Sequence, residues 1–109
     1  CAVVAVPARE GRVDPRILIE LLWQRFSLDS LIVEGGPTLL GSLFDEGLVD
    51  RVQAYIAPKI FGGLEALGPV AGRGVGDPAD APVLSEVSLQ MMGGDVLLEG
   101  RLQPCSPVS

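Results

Sequence analysis

Glu34-Gly35-Gly36-Pro37-Thr38 is the stretch of this chain best suited to chemistry. It follows the apolar run Leu31-Ile32-Val33 directly and leads into a helical pattern that opens with Leu39. Where a buried strand ends on a glycine pair and a helix begins at once, the helix presents unsatisfied N–H groups and a partial positive charge. Glycines there let a ligand approach the backbone closely. This is how an α/β protein holds a phosphate or pyrophosphate without basic side chains. The alternative is a tight strand-to-helix turn with no ligand. Glu34, an acid at the end of an apolar strand, needs a partner. It could bind a polar heterocycle or a ribose, or assist a proton transfer. It could equally bond nearby backbone N–H groups or sit at an exposed strand end.

A second candidate is Pro58-Lys59-Ile60-Phe61-Gly62-Gly63, where Lys59 could pair with a phosphate or simply enter a loop as an exposed lysine. Gly72-Arg73-Gly74-Val75-Gly76 lacks the spacing of a dinucleotide loop and reads as flexible chain. Trp23 and Phe26 read as core residues rather than a stacking platform. The absence of histidine removes His-based triads, His metal sites and a His general base. The two cysteines, Cys1 and Cys105, stand at opposite ends without CxxC spacing, so no metal site is expected. No catalytic residue is assigned. A net charge of −6 argues against binding nucleic acid or an anionic membrane. No stretch approaches the ~20 apolar residues of a membrane span, and no signal peptide is recognisable. A cytoplasmic protein is the expectation.

The elements that must position these residues follow from periodicity and punctuation. The 109 residues, 48% of them hydrophobic, suffice for one small domain or a piece of one. Residues 2–6 read as a buried strand, and a chain that enters on a strand reads as part of something longer. Asp14-Pro15 starts a helix, with Asp as cap and proline at the first position. Arg16, Glu20 and Gln24 recur on its polar side, with Ile17, Leu18, Leu21, Leu22 and Phe26 opposite. Residues 31–33 are a second buried strand. A second helix carries Leu39, Leu40, Leu43 and Phe44 and closes at Gly47. Residues 51–57 alternate as a third strand, ended by Pro58. Strand, helix, strand, helix, strand predicts a parallel α/β unit covered on both faces. Residues 59–82, rich in glycine and proline, form a long loop. Val83, Ser85, Val87, Leu89 and Met91 share a face of a further strand. Gly93-Gly94 makes a hairpin turn, and Val96, Leu98 and Leu102 alternate in the last strand.

Three segments in order carry a resemblance: Leu31-Ile32-Val33-Glu34-Gly35-Gly36-Pro37-Thr38-Leu39-Leu40, then Gly47-Leu48-Val49-Asp50, then Tyr55-Ile56-Ala57-Pro58-Lys59-Ile60-Phe61-Gly62-Gly63. Together they resemble the reductase domain of the bifunctional riboflavin-biosynthesis deaminase–reductase. The resemblance implies a partial dihydrofolate-reductase-like three-layer α/β fold, with a mostly parallel sheet and a C-terminal antiparallel hairpin. Residues 1–103 would be the C-terminal half of such a domain and 104–109 a tail. It further implies NADPH-dependent reduction of 5-amino-6-(5-phosphoribosylamino)uracil to the ribitylamino product, and a homodimer. By the same resemblance Gly35, Gly36, Pro37, Thr38 and Leu39 receive the cofactor's phosphates, Glu34 faces the substrate, and the Gly35-Gly36 peptide is cis. Arg9 is a candidate for the 2′-phosphate, with a plain surface arginine as the alternative. A half-domain is expected to be inactive alone. Two other functions fit the same residues: a reductase of this fold with another substrate, and a non-catalytic nucleotide-binding or oligomerisation module.

Overall fold

A computed structural model describes residues 3–102. The elements run β1 (Ala8–Arg9), β2 (Arg12–Val13), α1 (Pro15–Phe26), α2 (Pro37–Asp45), β3 (Arg51–Ile56), a short 3₁₀ turn (Pro78–Asp80), β4 (Leu84–Met92) and β5 (Asp95–Leu102). Both cysteines, Ala2 and the 104–109 tail lie outside the described residues.

Local signals place the helices as expected. The Asp14 carboxylate accepts the Arg16 N–H at 3.0 Å, and Pro15 occupies the first turn of α1. Ser27, left-handed at φ 53°, closes α1. α2 stops at Gly47, whose φ of 67° lets the next residue's N–H return to the Leu43 carbonyl at 3.0 Å. Trp23 and Phe26, expected in a core, are 58% and 44% exposed.

The three-stranded sheet is antiparallel throughout, in the order β3-β5-β4. β4 and β5 join through Gly93 and Gly94, both left-handed (φ 59° and 97°), as a two-residue primed turn requires. Val52, Ala54 and Ile56 share a face with Val96, Leu98 and Gly100, as their alternation predicts. The expected face of β4 does not survive. A bulge between Ser85 and Ser88, with Glu86 at φ 50°, shifts the phase, so Leu84 rather than Ser85 joins Leu89 and Met91.

The mostly parallel sheet is the main correction. Among the described residues no parallel pair forms, and neither residues 3–6 nor 31–33 are strand. Both runs are only partly covered: Val3 is 94% exposed, Leu31 55% and Ile32 81%, while Val4, Val6 and Val33 are half-buried. A parallel strand needs hydrogen-bonding neighbours beside it and layers above and below. This chain supplies neither to these two runs. The sheet and the helices also share little packing, and among the described residues the buried apolar side chains are Leu43, Leu97 and Pro15. The Cα radius of gyration is 16.1 Å, against about 13 Å for a compact domain of this length.

Candidate functional site

The Gly35-Gly36 turn and the start of α2 are built as the sequence predicts, with one exception. No peptide among the described residues is cis, so the Gly35-Gly36 bond is trans.

The two glycines do different work. A Cβ on Gly35 would lie 2.6 Å from Leu39 Cδ2, so Gly35 makes room for the helix to fold back over the turn. A Cβ on Gly36 would meet nothing within 4 Å. Gly36 is the N-cap of α2, extended at φ −74° and ψ 174°, with no side chain to cap the helix. Its carbonyl accepts the Leu40 N–H at 3.1 Å, the first bond of α2. Pro37 has no N–H, so Thr38 and Leu39 carry the helix's uncapped leading donors. Thr38 is exposed and Leu39 is 46% exposed. An anion placed over Gly36 would meet open space, two N–H groups and the positive end of the helix. The residues present therefore fit a phosphate or pyrophosphate.

Glu34 is exposed just before this turn, and it is not one of the carboxylates that form ion pairs among the described residues. Its oxygens are available to a ligand. Lys59 follows β3 and is exposed. Arg9 is committed elsewhere: its guanidinium bonds the Glu46 carboxylate and lies 3.7 Å from Asp14. Arg16 donates to the Glu46 carbonyl at 2.8 Å. These contacts tie β1 and the start of α1 to the C-terminal end of α2, at the opposite end of the helix from Gly36. Two clefts lie on the sheet: about 320 Å³ lined by Pro82, Val83, Ser85 and Leu102, and about 230 Å³ lined by residues including Arg51, Glu86, Ser88 and Arg101. At the turn, Gly36 and Thr38 are exposed and Gly35 and Pro37 half-buried.

One feature escaped sequence reasoning. Gly72-Arg73-Gly74, expected to be flexible, is docked along α2. The Ala71 N–H donates to the Pro37 carbonyl at 3.0 Å. A Cβ on Gly41 would overlap the Ala71 carbonyl carbon and come within 2.6 Å of the Gly72 nitrogen. The Asp45 carboxylate accepts the Arg73 N–H at 2.6 Å and the Gly74 N–H at 3.1 Å. These N–H groups, foremost that of Arg73, hold the Asp45 carboxyl below its ordinary pKa. The available signal was Gly41: a glycine inside an apolar helix marks close approach of another backbone.

Comparison with known proteins gives one consistent answer. Residues 1–98 match the family model of the RibD C-terminal domain. Over 97 residues the chain is 39% identical to the riboflavin biosynthesis protein RibD of Actinobacillus pleuropneumoniae, covering 89% of this chain and 26% of that protein. It is also 39% identical, over 94 residues, to the 2,5-diamino-6-ribosylamino-4(3H)-pyrimidinone 5′-phosphate reductase of Methanothermobacter thermautotrophicus, covering 86% and 43% respectively. A solved structure of Acinetobacter baumannii RibD superposes with a TM-score of 0.73 at 20% identity, over 89% of this chain and 30% of that one. The likeness in structure establishes the shared fold. The chain spans from about a quarter to two-fifths of the length of these curated relatives.

Proposed function

This chain belongs to the RibD C-terminal domain family, and we propose that it contributes the phosphate-binding half of an NADPH-dependent reductase. The substrate proposed is 5-amino-6-(5-phosphoribosylamino)uracil, whose ribosyl group becomes a ribityl chain. The observation that carries the proposal is the uncapped start of α2, where open space over Gly36 meets the Thr38 and Leu39 N–H groups.

In this reading the N-terminal turn of α2 holds the dinucleotide's phosphates, with Gly35 setting the turn and Gly36 leaving the approach clear. Pro37 fixes the first helical φ and keeps the turn preformed. Glu34, at the end of the 31–33 run, accepts hydrogen bonds from the polar substrate. When bound, the reduced nicotinamide supplies the hydride.

Residues 1–103 are proposed as the C-terminal half of the reductase domain, with 104–109 as a tail. The surface supports this. The chain exposes 9200 Å², where a folded monomer of its mass exposes about 5800 Å². The excess, about 3400 Å² on this chain alone, is surface that the remainder of the domain would cover. The apolar runs at 3–6 and 31–33, which pair with nothing among the described residues, would become strands once the remainder of the domain flanks them. A homodimer and a cytoplasmic location complete the proposal. Among the described residues no helix is long and apolar enough to cross a membrane.

The equal identity to the archaeal reductase favours testing a second substrate, the 2,5-diamino-6-ribosylamino-4(3H)-pyrimidinone 5′-phosphate of that relative's name. The experiment is NADPH oxidation assayed with each compound, for this chain alone and together with the remainder of the domain. Turnover only in the reconstituted protein is expected, and the preferred compound identifies the substrate. Absence of both NADPH binding and turnover in the reconstituted protein would sink the proposal. Robust turnover by this chain alone would sink the half-domain assignment.

A further inference from the structure

We propose that Asp45 is a positioning residue: it pins residues 71–74 along α2, and that seam sets the N-terminal turn of the helix. Asp45 is the last residue of α2 and Pro37 the first, about 12 Å apart along the axis. The 71–74 segment touches both ends. Its Arg73 and Gly74 N–H groups bond the Asp45 carboxylate, and its Ala71 N–H bonds the Pro37 carbonyl. Between them Gly41 has no side chain, so the two backbones meet directly.

Two backbone donors converging on one carboxylate make a strong, directional anchor. The Asp45 side chain is 14% exposed, whereas that of Arg73, whose Nε stands 3.8 Å away, is 79% exposed. The backbone bonds therefore carry the anchor more than the guanidinium does. With Asp45 holding one end of the segment, Ala71 is delivered to the Pro37 carbonyl. Pro37 immediately precedes the Thr38 and Leu39 donors. The seam thus orients the turn proposed above to bind nucleotide phosphates, and its importance for nucleotide binding rests on that reading.

The charged group facing the Asp45 carboxylate is Arg73 across the seam; the next residue, Glu46, is engaged by Arg9 and Arg16. The Asp45 carboxyl is held low. The seam is therefore intact above the ordinary carboxylate range and opens as pH falls through the depressed value.

The test is backbone amide exchange and amide chemical shift by NMR on the full chain, with Asp45→Ala and Asp45→Asn. The unsubstituted chain should protect Ala71, Arg73 and Gly74. Asp45→Ala should speed exchange at all three about tenfold or more, including Ala71, whose amide bonds Pro37 and not Asp45. Asp45→Asn, which retains one acceptor, should fall between. It also removes the acid titration of the Ala71 and Thr38 shifts, and it keeps the test open if the alanine variant fails to fold. Unprotected Arg73 and Gly74 amides in the unsubstituted chain would overturn the proposal. So would an effect of Asp45→Ala that stops short of Ala71. In the reconstituted reductase, NADPH affinity should fall severalfold in Asp45→Ala, and unchanged affinity overturns the positioning role. If the unsubstituted reductase binds no NADPH, the functional reading fails and the exchange data still decide the seam.

Discussion

The two helices begin almost identically and end up with opposite properties. Each has proline in its first turn and an N-cap with extended backbone. α1 is preceded by Asp14, whose carboxylate accepts the Arg16 N–H and places a negative charge at the positive end of the helix. α2 is preceded by Gly36, which offers no side chain and leaves the approach clear. α1 carries its own anion, whereas the anion that would complement α2 must come from outside the chain. A helix start that is preformed by proline, stripped of its cap and open to solvent is poised for a ligand. The same start with an aspartate in front is satisfied structure.

The largest effect should come from making the second start resemble the first. In Gly36→Asp the backbone already has the extended geometry of a good cap, and the new side chain enters open space. Its carboxylate would bond the leading N–H groups and repel the phosphates. NADPH affinity of the reconstituted reductase, measured by calorimetry, should drop about a hundredfold, or about 2.8 kcal/mol. The helical circular dichroism should not fall. Undiminished affinity would show that the phosphates bind elsewhere.

The converse change should be smaller. Asp14→Ala removes the cap of α1, leaves the Arg16 N–H without its partner and deletes the ion-pair contact to Arg9 at 3.7 Å. Loss of such a cap costs about 1 kcal/mol. A urea melt followed by helical circular dichroism should shift by that amount, with nucleotide affinity essentially unchanged. A variant as stable as the parent would mean that Pro15 alone fixes the start of α1.

The contrast between these helix starts was legible in the sequence because every sign of it is local. Asp14-Pro15, Gly36-Pro37, Gly47 and Gly93-Gly94 are each read from a few neighbouring residues, and all four appear as expected. What could not be read depends on distant partners. Leu31-Ile32-Val33 has the composition of a buried strand. It becomes one only with neighbours on both edges, and without them it is 55–81% exposed at its first two positions. β4 slips phase at Glu86, a residue whose type gives no warning of φ 50°. The contacts between Asp45 and residues 73 and 74 span 28 and 29 positions, and only Gly41 hinted at them. The trans Gly35-Gly36 bond departs from a family resemblance, which local residues could not decide.

The smallest effect separates charge from shape at the same position. Gly36→Ser puts a neutral cap where aspartate puts a charged one. Serine exceeds glycine as an N-cap by only a few tenths of a kcal/mol, so the gain in stability of α2 should be near the limit of a careful denaturant melt. Its hydroxyl bonds the same N–H groups, yet a phosphate can displace it without opposing a like charge. NADPH affinity should therefore fall less than tenfold, far short of the aspartate variant. The gap between the two should narrow as ionic strength rises, because the distinction is electrostatic and the turn is exposed. If serine and aspartate weaken binding equally at all salt concentrations, Gly36 acts by leaving room. In that case the charge of the α2 start contributes little to holding the phosphates.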